Sequence, residues 1–318
     1  MKTQSVSQSD VKKNARKKNQ AGDLVIKMKK FIFANHYIIC SGLQMCTMNR
    51  AIEKNKNTNW ENFLLELQSR GRYTFVFDEL RTRFDLSEET LLQVVYRYKS
   101  KKQVAQIRKG FYAIIPPEYS KQGMLPPYLF IDDLMKSLNK KYYVALLSAA
   151  AVYGAAHQQP MEFFVITETP APRNIRNSKL KITFLSKNEW LQEGITQQKT
   201  NAGYMNVSLP ELTALDFFDY THIFGINRIV SVLQELVEEM KATTLVKIAK
   251  QYTNTAAIQR LGYILEMEFS QEKLANNLWK VLNQRQFFPV PLSPQKEKKG
   301  EASNRWKIIK NMEIESDL

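Results

Sequence analysis

Between residues 58 and 116 the chain presents a run of short elements whose order leaves little freedom in what they can build. Trp60, Phe63, Leu64 and Leu67 recur at i, i+3, i+4 and i+7, the stripe of an amphipathic helix. Thr58 and Glu61 are spaced as a capping box ahead of it, and Gly71 is its stop. Tyr73-Thr74-Phe75 reads as a short extended piece, and a second helix from about Phe77 to Phe84 would bury Val76, Leu80 and Phe84. Ser87 is placed as the N-cap of a third helix, with Glu88 and Glu89 favourable on its dipole and Leu91, Val94, Val95 and Tyr98 on its apolar face. Val104–Ile107 and Phe111–Ile115 then read as two β runs joined by Arg108-Lys109-Gly110, a hairpin with a basic tip, and Pro116-Pro117 closes the unit. Three helices followed by a hairpin is the element order of a winged helix-turn-helix.

The rest of the chain mixes elements. Ile131–Leu138 and Tyr142–Tyr153 read as helices, and Glu162–Thr167, Leu180–Leu185 and Tyr204–Val207 as strands. Helices follow near Pro210–Tyr220, Ile226–Met240, Thr243–Gln251, Thr255–Met267 and Gln271–Asn283. Strands first and helices afterwards predict an α+β fold: an N-terminal winged helix-turn-helix, then a mixed α+β C-terminal domain. The expected divisions are a basic N-terminal extension at 1–57, the winged helix at 58–121, the α+β domain at 122–291 and a polar C-terminal tail at 292–318. That tail carries one apolar island, Trp306-Lys307-Ile308-Ile309, read as an edge strand or docking element.

Charge is distributed unevenly. The 46 Lys and Arg exceed the 31 Asp and Glu by 15. Residues 1–58 hold 12 basic against 3 acidic side chains, whereas residues 122–285 hold 17 against 15. A basic end on a near-neutral body suggests a polyanionic partner at that end, or a merely solvated tail. Residues 1–23 have no apolar period and read as disordered. The apolar residues between Met28 and Cys46 mimic a signal peptide but begin too far inside the chain and are too short for a membrane span. A start at Met48 would remove them altogether. Two cysteines, Cys40 and Cys46, give neither a disulfide framework nor a zinc pattern, which fits a reducing cytoplasm and no membrane.

On the third helix, the face opposite the apolar one holds Glu89, Gln93, Tyr96 and Ser100, flanked by Arg97. Gln can read adenine, Arg can read guanine, and Tyr or Ser can hold a phosphate. Lys99, Lys101 and Lys102 follow where both the helix dipole and a phosphate backbone favour cations, and Arg108 and Lys109 sit where a wing reaches neighbouring phosphates. The DNA-binding residues expected on these grounds are Gln93, Tyr96, Arg97, Lys101, Lys102, Arg108 and Lys109. Glu88 and Glu89 oppose this, since a carboxylate repels phosphate.

Catalytic signatures are missing. No GxGxxG, GxxxxGK[ST], HExxH or GxSxG occurs, and His36, His157 and His222 have no ligand-spaced neighbours. No catalytic residue, metal or cofactor is therefore expected. Asp132-Asp133 and the Asp216/Asp219 pair are the carboxylate pairs on which a nucleic-acid-processing enzyme, using the winged helix only for docking, would have to rely. A one-component transcription regulator sensing a small ligand through the C-terminal body is a third possibility.

The winged unit ending in Arg108-Lys109-Gly110-Phe111-Tyr112-Ala113-Ile114, the block Tyr142 to Pro160 (YYVALLSAAAVYGAAHQQP) and the strand Phe163-Phe164-Val165-Ile166-Thr167 together resemble the AbiEi family of abortive-infection antitoxins over about residues 58–285. The resemblance implies an antitoxin of a type IV toxin–antitoxin system that acts in phage defence. Its winged helix would bind inverted repeats in double-stranded DNA at its own operon promoter and repress transcription. Its C-terminal domain would counteract a nucleotidyltransferase-like toxin without forming a stable complex. The family's winged helix ordinarily begins near the start of the chain, and the 57 residues ahead of it here depart from that pattern.

Overall fold

In a computed structural model of the protein, residues 60–155 and 161–315 are described. The chain divides into two compact units, residues 1–66 and 67–318. Thr58, the Cys and Met48 positions, His36 and His157 fall outside the described residues. Residues 60–69 are helical (α1), and the stripe predicted for them, Trp60, Phe63, Leu64 and Leu67, is buried.

Within residues 67–318, Thr74–Val76 (β1) leads into Phe77–Arg83 (α2) and Glu88–Ser100 (α3), followed by Val104–Arg108 (β2) and Phe111–Ile114 (β3). The three strands form an antiparallel sheet in the order β1-β3-β2. Ile131–Ser137 (α4) follows, then Tyr142–Val144 (β4), Leu146–Val152 (α5), Phe163–Glu168 (β5), Ile175–Arg176 (β6), Lys181–Lys187 (β7), Ile195–Thr200 (β8) and Gly203–Ser208 (β9). The strands from β4 onward form a six-stranded mixed sheet, ordered β6-β7-β5-β4-β9-β8. Helices close the fold: Pro210–Asp219 (α6), Thr221–Phe224 (α7), Ile226–Leu236 (α8), Ala242–Gln251 (α9), Thr255–Met267 (α10) and Glu272–Leu282 (α11).

The larger sheet is buried on both faces, and its two-residue side-chain period sorts neighbours to opposite cores. Tyr143, Phe164 and Ile166 point into a core built with α5, α6 and α8–α11. Tyr142, Val144, Val165, Ile182 and Phe184 point the other way, into a core shared with α4 and with Ile107, Phe111 and Ala113 of the small sheet. The hydroxyl of Thr74 in β1 donates to Asp133 in α4, and that of Tyr142 donates to Asp132 at 2.9 Å. Both carboxylates of the Asp132-Asp133 pair are therefore engaged in tying elements together.

One expectation is corrected here, and one strand went unassigned. The segment Tyr142–Tyr153, read as one helix, is a strand and then a helix. Tyr142, Tyr143 and Val144 pair antiparallel with β5, and Val144 pairs parallel with β9, so mid-sheet pairing overrides a periodicity that suits a helix equally well. Strand β8, with the polar sequence Ile-Thr-Gln-Gln-Lys-Thr, carries no alternation that sequence reading could use; its backbone pairs with β9 over all six residues.

The C-terminal residues pack against the body. Val290–Pro291 (β10) and Ile308–Ile309 (β11) pair in parallel, and Trp306 is fully buried against α10. A Cβ at Gly262 would come within 2.0 Å of the Trp306 ring, so only glycine lets the indole lie this close to the helix. Gln259 donates to the carbonyls of Phe288 and Trp306 at 2.9 and 2.8 Å, which anchors both limbs of the strap. Among the described residues, no helix is long and apolar enough to cross a membrane.

Candidate nucleic-acid interface

Helix α3 begins where the sequence places it. Ser87 is extended, and its hydroxyl accepts from the Thr90 amide at 3.3 Å, capping the first turn. Leu91, Val95 and Tyr98 are buried and Val94 is half-buried, so one face is locked inward. The opposite face is open: Gln93 and Arg97 are exposed, and Tyr96 retains 70% of its accessible surface. Leu92, 47% exposed, lies on the same side. Lys101, Lys102 and Lys109 are also exposed, and Arg108 is half-buried.

The end of α3 has an unusual backbone. The Lys102 amide donates to the Lys99 carbonyl at 2.9 Å and the Gln103 amide to the Tyr98 carbonyl at 3.0 Å, the bond pair of a Schellman motif. The left-handed position in that motif ordinarily belongs to glycine; here Lys102 occupies it with φ 57°. Lys101 stacks its ammonium 5.6 Å from the Tyr98 ring centre, and Lys99 donates to Gln106 of β2 at 2.8 Å, fixing the hairpin alongside the last turns of the helix.

The hairpin turns at Lys109-Gly110, with Gly110 at φ 77°, and a bulge between Gln106 and Arg108 bends its first strand. The Phe77 amide donates to the Gly110 carbonyl at 2.8 Å, so the tip is held to α2. Among the described residues, none of the seven expected side chains, Gln93, Tyr96, Arg97, Lys101, Lys102, Arg108 and Lys109, hydrogen bonds to or ion-pairs with another protein group, and Nη1 of Arg108 is enclosed without a partner. The neighbouring acids are mostly engaged: Glu79 pairs with Arg72 at 2.6 Å, and Arg81 pairs with Asp78 and Glu88 at 2.9 and 2.7 Å. Those arginines weaken the repulsion that Glu88 would offer a phosphate; Glu89 stays exposed.

A second constellation lies inside the larger unit. Lys187, at the end of β7, donates to Asp216 of α6 at 2.5 Å, to Asp219 at 3.1 Å and to the Tyr252 hydroxyl at 2.9 Å. Tyr143 of β4 donates to the other Asp216 oxygen at 2.8 Å, Tyr252 donates to Asp219, and Asn254 donates to Asp219 at 2.6 Å. Burial lowers the Lys187 pKa, but the Asp216 and Asp219 carboxylates more than offset this and hold it above the usual lysine value. Burial and the same carboxylates push Tyr143 and Tyr252 well above the ordinary phenol range. Among the described residues, no group of three or more His, Cys, Asp or Glu side chains is arranged to hold a metal ion.

Residues 143–267 match the family model of the AbiEi antitoxin C-terminal domain. The chain carries an AbiEi antitoxin domain. Among solved structures, that of the RV2827C protein from Mycobacterium tuberculosis is similar in fold, with a TM-score of 0.56 at 16% identity over 79% of this chain and 91% of that one. No curated protein matches the chain.

Every member of the Lys187 cluster falls within the antitoxin domain, from Tyr143 to Asn254. Sequence reasoning found Asp216 and Asp219 but missed Lys187, Tyr143, Tyr252 and Asn254. Asp216 lies 73 residues from Tyr143 and 29 from Lys187, separations that no local motif spans. His222 lies in α7, exposed, with its ring 6.3 Å from that of Tyr220.

Proposed function

We propose that this antitoxin belongs to a type IV toxin–antitoxin system and represses its own operon by binding inverted repeats in the promoter. In this reading the small sheet and helices α1–α3, within residues 58–121, act as a winged helix-turn-helix. The antitoxin domain, within residues 122–291, counteracts a nucleotidyltransferase-like toxin without a stable complex between them.

One observation carries the DNA-binding part. Gln93, Tyr96 and Arg97 project from a capped, internally packed helix with their polar groups unspent, and Lys101, Lys102 and Lys109 stand exposed beside them. Donors carried on a packed helix without internal partners suit a groove, because the backbone that presents them is already ordered and only their side chains remain to be fixed on binding. Gln93 and Arg97 would read base edges, and the lysines with Arg108 would neutralise phosphates.

The Lys187 cluster supports an architectural part for the carboxylates of the antitoxin domain. Both oxygens of Asp216 and both of Asp219 accept from protein donors, which leaves them committed to the fold.

The test is a gel-shift titration of the full chain on its own upstream DNA against random duplex at physiological salt. The expected result is a preference for the upstream DNA that Gln93→Ala and Arg97→Ala each reduce by about 1–3 kcal/mol. Equal affinity for both duplexes would refute the operator reading. Growth rescue by co-expression with the adjacent toxin tests the antitoxin reading separately.

A further inference from the structure

The open face of α3 is divided by chemistry. Glu89, Leu92, Gln93, Tyr96 and Ser100 fall at i, i+3, i+4, i+7 and i+11, one stripe opposite buried Leu91, Val95 and Tyr98, and all of them are exposed. The stripe itself holds no cation. At about 100° per residue, Arg97 and Lys99 stand at its two margins, and Lys101 and Lys102 follow its end. The Ser100 hydroxyl donates to the Tyr96 carbonyl at 3.0 Å and is turned back onto the helix. The outward chemistry of the stripe is therefore a carboxylate, an isobutyl group, an amide and a phenol.

Two members of the stripe, Glu89 and Leu92, have no part in the reading above. Glu88 is taken up by Arg81 at 2.7 Å, whereas the Glu89 carboxylate has no hydrogen-bond or ion-pair partner among the described residues. Leu92 is 47% exposed on the next turn of the same line, and Tyr96, 70% exposed, lies one turn further. Neither Glu89 nor Leu92 can hold a phosphate: a carboxylate repels it and an isobutyl group offers no donor. The cations at both margins would nevertheless draw a duplex onto this face. Residues three apart on a helix lie about 5–6 Å from each other, less than two base-pair steps, so Glu89 and Leu92 would meet neighbouring base edges.

We infer that Glu89 and Leu92 set base choice: Glu89 accepts from the amino group of a cytosine, and Leu92 packs on the methyl group of a thymine within two base pairs of it. This rests on the DNA-binding reading above and names the bases that would lie under the first turns of α3. In the major groove a carboxylate needs a donor, and guanine shows only acceptors there. Adenine sets the N7 acceptor beside its amino group, which leaves cytosine N4 as the better match. An isobutyl group finds its apolar counterpart in the thymine methyl. Leu92 and Tyr96, framed by cations, fall far short of the apolar centre of a protein interface. On a sequence without the cytosine the same carboxylate faces acceptors and repels, so Glu89 penalises wrong sites as well as favouring the right one.

The experiment uses the full chain and its Glu89→Gln and Leu92→Ala variants, each checked for an unchanged melting temperature. Gel-shift affinities are measured for the upstream duplex, for the same duplex with deoxyuridine in place of thymidine, and for random duplex. Deoxyuridine removes the methyl groups alone. The parent should bind the deoxyuridine duplex about fourfold more weakly for each contacted methyl group, the worth of one buried carbon, and Leu92→Ala should bind both forms alike. Glu89→Gln should lose on the order of tenfold on the upstream duplex while binding random duplex no more weakly than the parent. An equal change on both duplexes in Glu89→Gln would show a carboxylate that acts only on phosphates and would overturn the inference. So would a parent indifferent to deoxyuridine, or a Leu92→Ala chain as sensitive to it as the parent. The parent's preference for upstream over random duplex tests the operator reading by itself: without it both fail, and with it these outcomes sink the base assignment alone.

Discussion

The ammonium of Lys187 lies 2.5 Å from a carboxylate oxygen of Asp216, a side chain with no exposed surface. The pair joins the end of β7 to the middle of α6, so it ties the central sheet to the helical layer. Removing one partner leaves the other charged in a dry interior. Lys187→Met should therefore cost about 3–5 kcal/mol of folding stability, measured by urea unfolding. The double change Lys187→Met with Asp216→Leu should recover at least half of that loss, because the fully buried Asp216 carboxylate is then gone and the partly exposed Asp219 keeps its bonds from Tyr252 and Asn254. A single change costing under 1 kcal/mol would show that water reaches the cluster.

The same cluster sets a limit at alkaline pH. Lys187 titrates above its usual 10.5 in the folded chain, so its contribution is complete below that value and fades as pH rises through the raised one. Tyr143 and Tyr252 are held neutral above the ordinary 10.0, and they act in the same direction. Stability should fall steeply above about pH 10. Tyrosinate absorbance from these two residues should appear together with the loss of ellipticity; ionisation well before unfolding would contradict the arrangement.

Lys102 in the left-handed position is a strained choice that glycine would relieve. The penalty for a side chain there is about 1–2 kcal/mol, partly offset by the chain entropy that glycine adds to the unfolded state. Lys102→Gly should raise stability by about 0.5–1 kcal/mol and at the same time weaken binding to upstream DNA severalfold. Thermal melting and gel-shift titration of the same preparation read the two effects together. Increased stability without weaker binding would remove Lys102 from the interface.

Trp306 and Gly262 form a lock between the C-terminal strap and α10. Gly262→Ala would drive a methyl group into the indole and should cost about 1–3 kcal/mol. Trp306→Ala empties a fully buried site and should cost about 3–5 kcal/mol. Combining Gly262→Ala with Trp306→Leu should prove less damaging than the sum of those two changes made singly, which equilibrium unfolding of the parent, the two single variants and the double would establish.

Local rules accounted for the elements of the small sheet and for most helices. The Ser87 cap, the α3 stripe, Gly110 at the turn and the exposure of Gln93, Tyr96 and Arg97 all follow from interactions within a few residues. Helix α10 runs over Thr255–Met267, the range read from its pattern. Strand β4 was misread because Tyr142–Val144 owes its conformation to β5 and β9, partners distant in sequence. The sharing of one core between the hairpin and the large sheet rests likewise on a cluster that gathers Phe111 with Val165 and Ile182, residues far apart in sequence.

What the amino-acid order determined alone is the set of amphipathic segments, their caps and the basic character of α3 and the hairpin tip, since periodicity and capping act over one or two turns. Tertiary structure alone decided that Lys187 meets Asp216 and that Trp306 fills the space left by Gly262. Each of these joins residues tens of positions apart, and such a contact exists only once the chain has closed the loop between them, a condition written nowhere in the local sequence.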